Sequence, residues 1–308
     1  MPLPRVLADL PVSPVVIELL GGHVELVPWN YAGPVEAIYT YGHPAVDGAM
    51  LGRLAPLKVV SNFGVGVDHI DVKAATARGI PVGNTPGILD GATADLAFAL
   101  ILAAGRRVVE GDRYARGPNF LHYDPSYMLG REVHSSTLGI FGMGRIGRQV
   151  AMRARGFGMT VLYHNRNRND EAEITLGARY ATKDEVLAQA DYVVLTVPLT
   201  TETRGLIGAA ELAKMKPTAT LVNVARGAVV DKGALAEALA AKRIFAAALD
   251  VTDPEPLPRD HPLLALPNVI ITPHLGSATE ETRRRMAELS VQNLFAGLAG
   301  KPLPYRVG

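Results

Sequence analysis

The strongest constraint on this chain is an apolar run that ends in a glycine-rich turn and resumes as a helix. Residues 136–147 read "STLGIFGMGRIG" and continue as "RQVAMRARGFG". Alone, a G-x-G-x-x-G turn is a weak signal; placed between a strand and an amphipathic helix it points to a dinucleotide site. Gly142 permits the tight turn, Gly144 lets backbone N–H groups approach a pyrophosphate, and Gly147 lets the helix pack on the strand. Arg145 and Ile146 complete the turn, and the helix that follows turns its positive end toward the phosphates.

Around this turn, short β-rich runs alternate with Ala-rich helical runs, the pattern of a parallel sheet flanked by helices. Upstream, "RVLADL", "HVELVP", "AIYTYG", "KVVSNF" and "IPVGNT" read as strands. "GVGVDHIDVKAATARG" reads as a turn with a short helix, and "ILDGATADLAFALILAAGRRVVEGDRYARG" as one long buried helix. Downstream, "TVLYHN", "ARYA", "DYVVLTVPL", "ATLVNVA", "FAAALDV" and "NVIITPHLG" are strands. "KDEVLAQA", "TRGLIGAAELAKM", "KGALAEALAAKR" and "SATEETRRRMAELSVQNLFAGLAG" are helices, the last with Ser277 as its cap. Residues 117–133, "GPNFLHYDPSYMLGREV", break the rhythm and read either as a surface loop or as an arm that packs on another subunit.

The 308 residues suffice for two ordinary domains. A formal charge of +1 gives no reason to expect nucleic acid as a partner, and the absence of cysteine excludes disulfides, thiolate nucleophiles and Cys-based metal sites. No His/Asp/Glu spacing suggests a metal. "LAFALILAAG" is too short to span a bilayer and "MPLPRVLADL" does not read as a signal peptide, so a cytoplasmic location is expected.

The second strand of a dinucleotide fold favours NAD when it ends in Asp or Glu, which bonds the ribose hydroxyls. Here it ends at Asn165, followed by Arg166, Asn167 and Arg168. A carboxylate would repel a 2′-phosphate, whereas a guanidinium clamps it with charge-assisted bonds. The expected cofactor is therefore NADP(H), with NAD bound more weakly. Arg166 is the main contact and Arg168 its helper.

Three strand ends supply the chemistry. Arg226 follows a strand in "LVNVARGAVVD", Glu255 lies between prolines in "ALDVTDPEPLPRDHPL", and His274 follows a strand in "NVIITPHLGSAT". In a doubly wound sheet ligands bind outside the carboxyl ends of the strands. Arg226 would hold a substrate carboxylate and polarise the neighbouring carbonyl. His274 would protonate the developing alkoxide, and Glu255 would orient the imidazole and favour its charged form. No G-x-S-x-G stretch supports a hydrolase.

"NFGVGVDHID", "GMGRIG", "LVNVARGAVVD", "ALDVTDPEPL" and "ITPHLGSAT" together closely resemble the D-isomer-specific 2-hydroxyacid dehydrogenase family, over essentially the whole chain. The Asn-Arg strand end, "DPEPLPRDHPLL" and "NLFAGLAGKPLP" are most similar to its glyoxylate/hydroxypyruvate reductases. The resemblance implies an α/β chain with two Rossmann-like domains, a flavodoxin-like substrate domain and a doubly wound NAD(P)-binding domain, with a cleft between them. The substrate domain would take residues 1–95 and 276–308, and the cofactor domain 96–275. The amides of Val65 and Gly66 would receive the substrate carboxylate. Thr93, Val197, Pro198, Val224, Ala225, Asp250 and Gly276 would line the cofactor, Asp250 near the nicotinamide amide. Residues 117–133 would form the arm of a homodimer, carrying Tyr127 toward the partner's site. The implied activity is NADPH-dependent reduction of a small 2-keto acid to a D-2-hydroxy acid. Phosphite, or a larger keto acid such as phenylpyruvate, stays open as substrate, because the lining depends on how Tyr41, Phe63, Tyr127 and Met128 approach. A dinucleotide-sensing, corepressor-like protein is the alternative outside catalysis.

Overall fold

The computed structural model describes residues 2–9, 11–54 and 56–307. By the contacts within it, the chain divides into two compact units, Met1–Leu89 with Thr279–Gly308, and Asp90–Ala278.

The first unit comprises β1 (Arg5–Ala8), α1 (Pro14–Leu20), β2 (Glu25–Pro28), β3 (Ala37–Thr40), α2 (Gly48–Arg53), β4 (Val59–Asn62), α3 (Val72–Ala77) and β5 (Val82–Gly83). Its sheet is wholly parallel in the order β2-β1-β3-β4-β5, the flavodoxin-like arrangement. Every residue of β3 and β4 is buried. That is what a parallel strand covered on both faces requires, and the polar Thr40, Ser61 and Asn62 are buried with the apolar residues. Leu7, Val27, Ile38, Val60 and Val82 pack into one core. The C-terminal helix, Glu280–Leu298, also belongs to this unit. It lies so close to the sheet that a Cβ on Gly297 would stand 2.4 Å from that of Val59. The tail beyond it is anchored: Tyr305 accepts from the Asn84 N–H, and Val307 donates to Val82.

The second unit holds α4 (Asp90–Gly105), α5 (Val108–Ala115), β6 (Thr137–Phe141), α6 (Arg145–Gly156), β7 (Thr160–His164), α7 (Asp170–Leu176), β8 (Arg179–Tyr180), α8 (Lys183–Gln189), β9 (Tyr192–Leu195), α9 (Ala209–Leu212), β10 (Thr220–Asn223), α10 (Lys232–Ala240), β11 (Ala246–Leu249) and β12 (Val269–Ile271). Its parallel sheet runs β12-β11-β10-β9-β6-β7-β8. The order reverses between β6 and β9, the switch point where doubly wound sheets bind ligands. The fold class is α/β, as the alternation of runs implied.

Local differences from the sequence reading have physical causes. The long helix through residue 116 is two helices. Arg107 takes a left-handed conformation at φ 53°, and α5 that follows buries none of its residues. Only Ala209–Leu212 of "TRGLIGAAELAKM" is helical. Thr279, not Ser277, caps the C-terminal helix by accepting the Thr282 N–H at 3.1 Å. His164 is half-buried on β7, its Nδ1 3.0 Å from the Ala181 carbonyl. Among the described residues no helix is long and apolar enough to cross a membrane.

Candidate active site

β6 ends at Phe141, and the chain turns at Gly142 with φ +102°, a conformation that L side chains rarely adopt. A Cβ there would lie 2.9 Å from the backbone of Thr196 and Val197, and one on Gly147 would lie 2.1 Å from the Gly142 carbonyl. These two glycines are thus required by packing. Gly144 differs: as the N-terminal flank of α6 it would place a Cβ in open space, with nothing within 4 Å. The room outside this helix start, with the exposed Arg145 beside it, fits the diphosphate of a dinucleotide. Ile146 is half-buried against the core beneath.

The turn is braced from the β7 side. Asn165 accepts the Met143 N–H at 2.7 Å, and Asn169 donates to the Met143 carbonyl at 2.8 Å. Asn165 therefore holds the glycine turn itself. The two arginines beyond it differ. Arg168 forms a two-point pair with Glu173, at 3.0 and 2.5 Å, and lies 5.6 Å from the Tyr180 ring centre. Its guanidinium holds the Glu173 carboxyl below the usual range. Arg166 is exposed and enters none of the salt bridges formed among the described residues. Past β9, Val197 is half-buried and Pro198 exposed; the Pro198 carbonyl accepts from Thr203 at 2.6 Å.

Three further strand ends carry Arg226, Glu255 and His274. After β10, Asn223 accepts the Ala225 N–H at 3.0 Å and donates to the Arg226 carbonyl at 2.9 Å, which shapes the turn that displays Arg226. Val224 and Ala225 are buried behind it. A Cβ on Gly227 would lie 2.0 Å from the Thr252 carbonyl carbon, so this turn packs directly on the loop that bears Glu255. In that loop the Asp253–Pro254 and Glu255–Pro256 bonds are cis. After β12, His274 sits at φ 56°, costly for a β-carbon residue and tolerated only where surroundings fix it.

Asp250 does the fixing. At 2 % exposure its carboxylate accepts Thr272 Oγ1 at 2.6 Å, the Leu275 N–H at 2.7 Å and the Gly276 N–H at 2.8 Å. Its own carbonyl accepts the His274 N–H at 2.9 Å. Both carboxylate oxygens thus bond the His274 loop, and Asp250 clamps it from beneath. Thr93 is buried on α4, and its Oγ1 lies 3.4 Å from where a Gly276 Cβ would stand.

His274 Nδ1 lies 2.8 Å from Glu255 Oε1. A carboxylate on Nδ1 favours the tautomer with the proton there and fixes the orientation of the ring. Among the sequence candidates, then, the fold brings His274, Glu255 and the Arg226 turn together. Tyr127 stands apart on the arm, 52 % exposed and 4.8 Å from the Tyr114 ring. Val65 and Gly66 belong to the other unit, in the turn after β4, where the rings of Tyr41 and Phe63 lie 4.7 Å apart.

Residues 98–276 match the family described as D-isomer specific 2-hydroxyacid dehydrogenase, NAD binding domain. A glyoxylate reductase of Aeropyrum pernix is 45% identical over 99% of this chain and 96% of its own. A Thermus thermophilus protein of known crystal structure superposes with a TM-score of 0.90 at 44% identity, covering 99% of this chain and 100% of that one. An NADPH-dependent glyoxylate/hydroxypyruvate reductase of Sinorhizobium meliloti, solved with NADP and malonate, superposes with a TM-score of 0.89 at 32% identity, covering 99% and 97%. With a glycine turn built for a dinucleotide and a His–Glu pair at the strand ends, the chain belongs to the D-isomer specific 2-hydroxyacid dehydrogenases, oxidoreductases with an NAD(P)-binding domain.

Proposed function

We propose that the protein is an NADPH-preferring reductase of small 2-keto acids, glyoxylate and hydroxypyruvate foremost, giving D-2-hydroxy acids. The observation that carries this reading is the 2.8 Å contact between His274 Nδ1 and Glu255 Oε1. With Nδ1 held by that carboxylate, Nε2 is placed to give a proton to the substrate oxygen as negative charge develops on it. Arg226 holds the substrate carboxylate and polarises the carbonyl, and the Val65 and Gly66 N–H groups bind the same carboxylate. The bound nicotinamide supplies the hydride that reaches the keto carbon. The preference for NADPH rests on Arg166, whose exposed guanidinium follows β7 where a carboxylate would favour NAD. The NADP complex of the Sinorhizobium relative agrees with it.

We further propose a homodimer built on residues 117–133. Phe120, Leu121, Tyr123, Tyr127 and Leu129 are each at least half exposed there, a cluster of apolar surface that a monomer rarely leaves to water. Cytoplasmic placement remains part of this reading.

A steady-state panel of glyoxylate, hydroxypyruvate, pyruvate and phenylpyruvate against NADPH and NADH tests the assignment. The highest kcat/KM is expected for glyoxylate and hydroxypyruvate with NADPH. A preference for phenylpyruvate, or equal use of both cofactors, contradicts the corresponding part. Cofactor binding with no turnover would favour a sensor.

A further inference from the structure

The turn after β4 shows a clamp that the reading above does not use. Three consecutive carbonyls, those of Gly64, Val65 and Gly66, are all taken by side-chain amides. Asn62 Nδ2 donates to Gly64 at 3.0 Å and to Gly66 at 2.9 Å, and Asn84 Nδ2 donates to Val65 at 2.9 Å. The Thr85 N–H adds a second bond to Gly64 at 3.0 Å. The Asn62 amide is itself oriented: Thr40 Oγ1 donates to Asn62 Oδ1 at 2.7 Å, which fixes which end of it faces the turn. The backbone at Asn84 is held by Asn293, which donates to the Asn84 main-chain carbonyl at 3.0 Å and accepts the Tyr305 N–H at 3.0 Å. Thr40 and Asn62 are fully buried.

Turning a peptide's carbonyl toward one side turns the adjoining N–H toward the other. Among the described residues, neither the Val65 nor the Gly66 N–H is given to an acceptor within the chain. Successive N–H groups with no carbonyl to satisfy them form an anion-binding concavity. We infer that Asn62 and Asn84 are positioning residues for substrate: by holding three carbonyls of this turn they present the Val65 and Gly66 N–H groups to the carboxylate of a 2-keto acid. The inference rests on the proposal that these amides bind that carboxylate, and it adds the residues that make them able to.

The test compares wild type, Asn62→Asp and Asn84→Ala. Asn62→Asp keeps the size of the side chain but cannot donate to the carbonyls; Asn84→Ala removes only the half-buried donor. Each is expected to raise the glyoxylate KM by about tenfold to a hundredfold, as befits a weakened charge-assisted bond. Binding of NADPH stays unchanged and kcat falls less than KM rises. A merely structural role would lower Tm and affect both parameters together. In parallel, the backbone amide resonances of Val65 and Gly66 are followed while oxamate, a non-reducible 2-keto-acid analogue, is added. In wild type both should shift on saturation, and in the variants much less at the same concentration. If the wild-type resonances do not move, the carboxylate reading fails and takes the inference with it. If they move equally in all three proteins and KM is unaltered, that reading stands and the positioning role of Asn62 and Asn84 is overturned.

Discussion

Two turns, one in each unit, follow a buried parallel strand and leave backbone N–H groups outward, yet they are built differently. The turn after β6 runs straight into the twelve-residue helix α6, so the helix start supplies both the free N–H groups and a positive field. Its bracing asparagines, Asn165 and Asn169, touch one residue, Met143. The turn after β4 is not continued by a helix; α3 begins only at Val72. With no macrodipole to use, it holds three carbonyls by the side chains of Asn62 and Asn84. A diphosphate is large and multiply charged and suits a helix start, whereas a single carboxylate needs only a few fixed donors. In the proposed function, comparison of the turns separates a cofactor end from a substrate end, while the proton transfer falls to His274.

The division is broken most severely by removing the proton donor. His274→Ala should lower kcat by about 10²–10⁴ while leaving NADPH affinity intact. Fluorescence titration with NADPH beside steady-state rates checks this, and a near-normal kcat removes His274 from the chemistry. At the cofactor end, Arg166→Asp should raise the NADPH KM by about tenfold to a hundredfold through loss of a charge-assisted clamp, and the NADH KM far less. Equal changes for both would refute a 2′-phosphate contact. Within the same turn, Gly144→Ala meets no neighbour and should weaken NADPH binding with little change in Tm. Gly147→Ala meets the Gly142 carbonyl at 2.1 Å and should also lower stability, by about 1–3 kcal/mol. Thermal melts with and without NADPH distinguish the two. The smallest effect is expected at Arg168, whose guanidinium is engaged by Glu173: Arg168→Ala should change the NADPH KM by no more than a few fold. A larger rise would mean that the ion pair opens for cofactor.

The sequence made legible what depends on local pattern. The glycine turn, the alternation of strands and helices and the strand-end positions of Arg226, Glu255 and His274 follow from periodicity and spacing, since each is set within a dozen residues. Asp250 was visible as a residue near the cofactor but not as the clamp of the His274 loop. That role needs the loop to fold back over 22 to 26 residues onto one carboxylate. The Asn62 and Asn84 amides escaped for the same reason, as their work is done on carbonyls, which carry no sequence signal. Arg168 could have been better read: Glu173 lies five residues on, at a spacing that lets a helix start return to the strand end. The break after α4 was hidden because Arg107 carries no glycine or proline to announce its left-handed backbone.

The central claim is that hydride reaches a keto carbon while His274 delivers a proton to its oxygen. Turnover of glyoxylate with NADPH deuterated at both C4 positions, read by mass spectrometry of the product, tests it most directly. Glycolate carrying one carbon-bound deuterium, formed by the wild type and slowed in proportion to kcat in His274→Ala, is the predicted result. Unlabelled glycolate, no glycolate, or equal rates from the two proteins would contradict it.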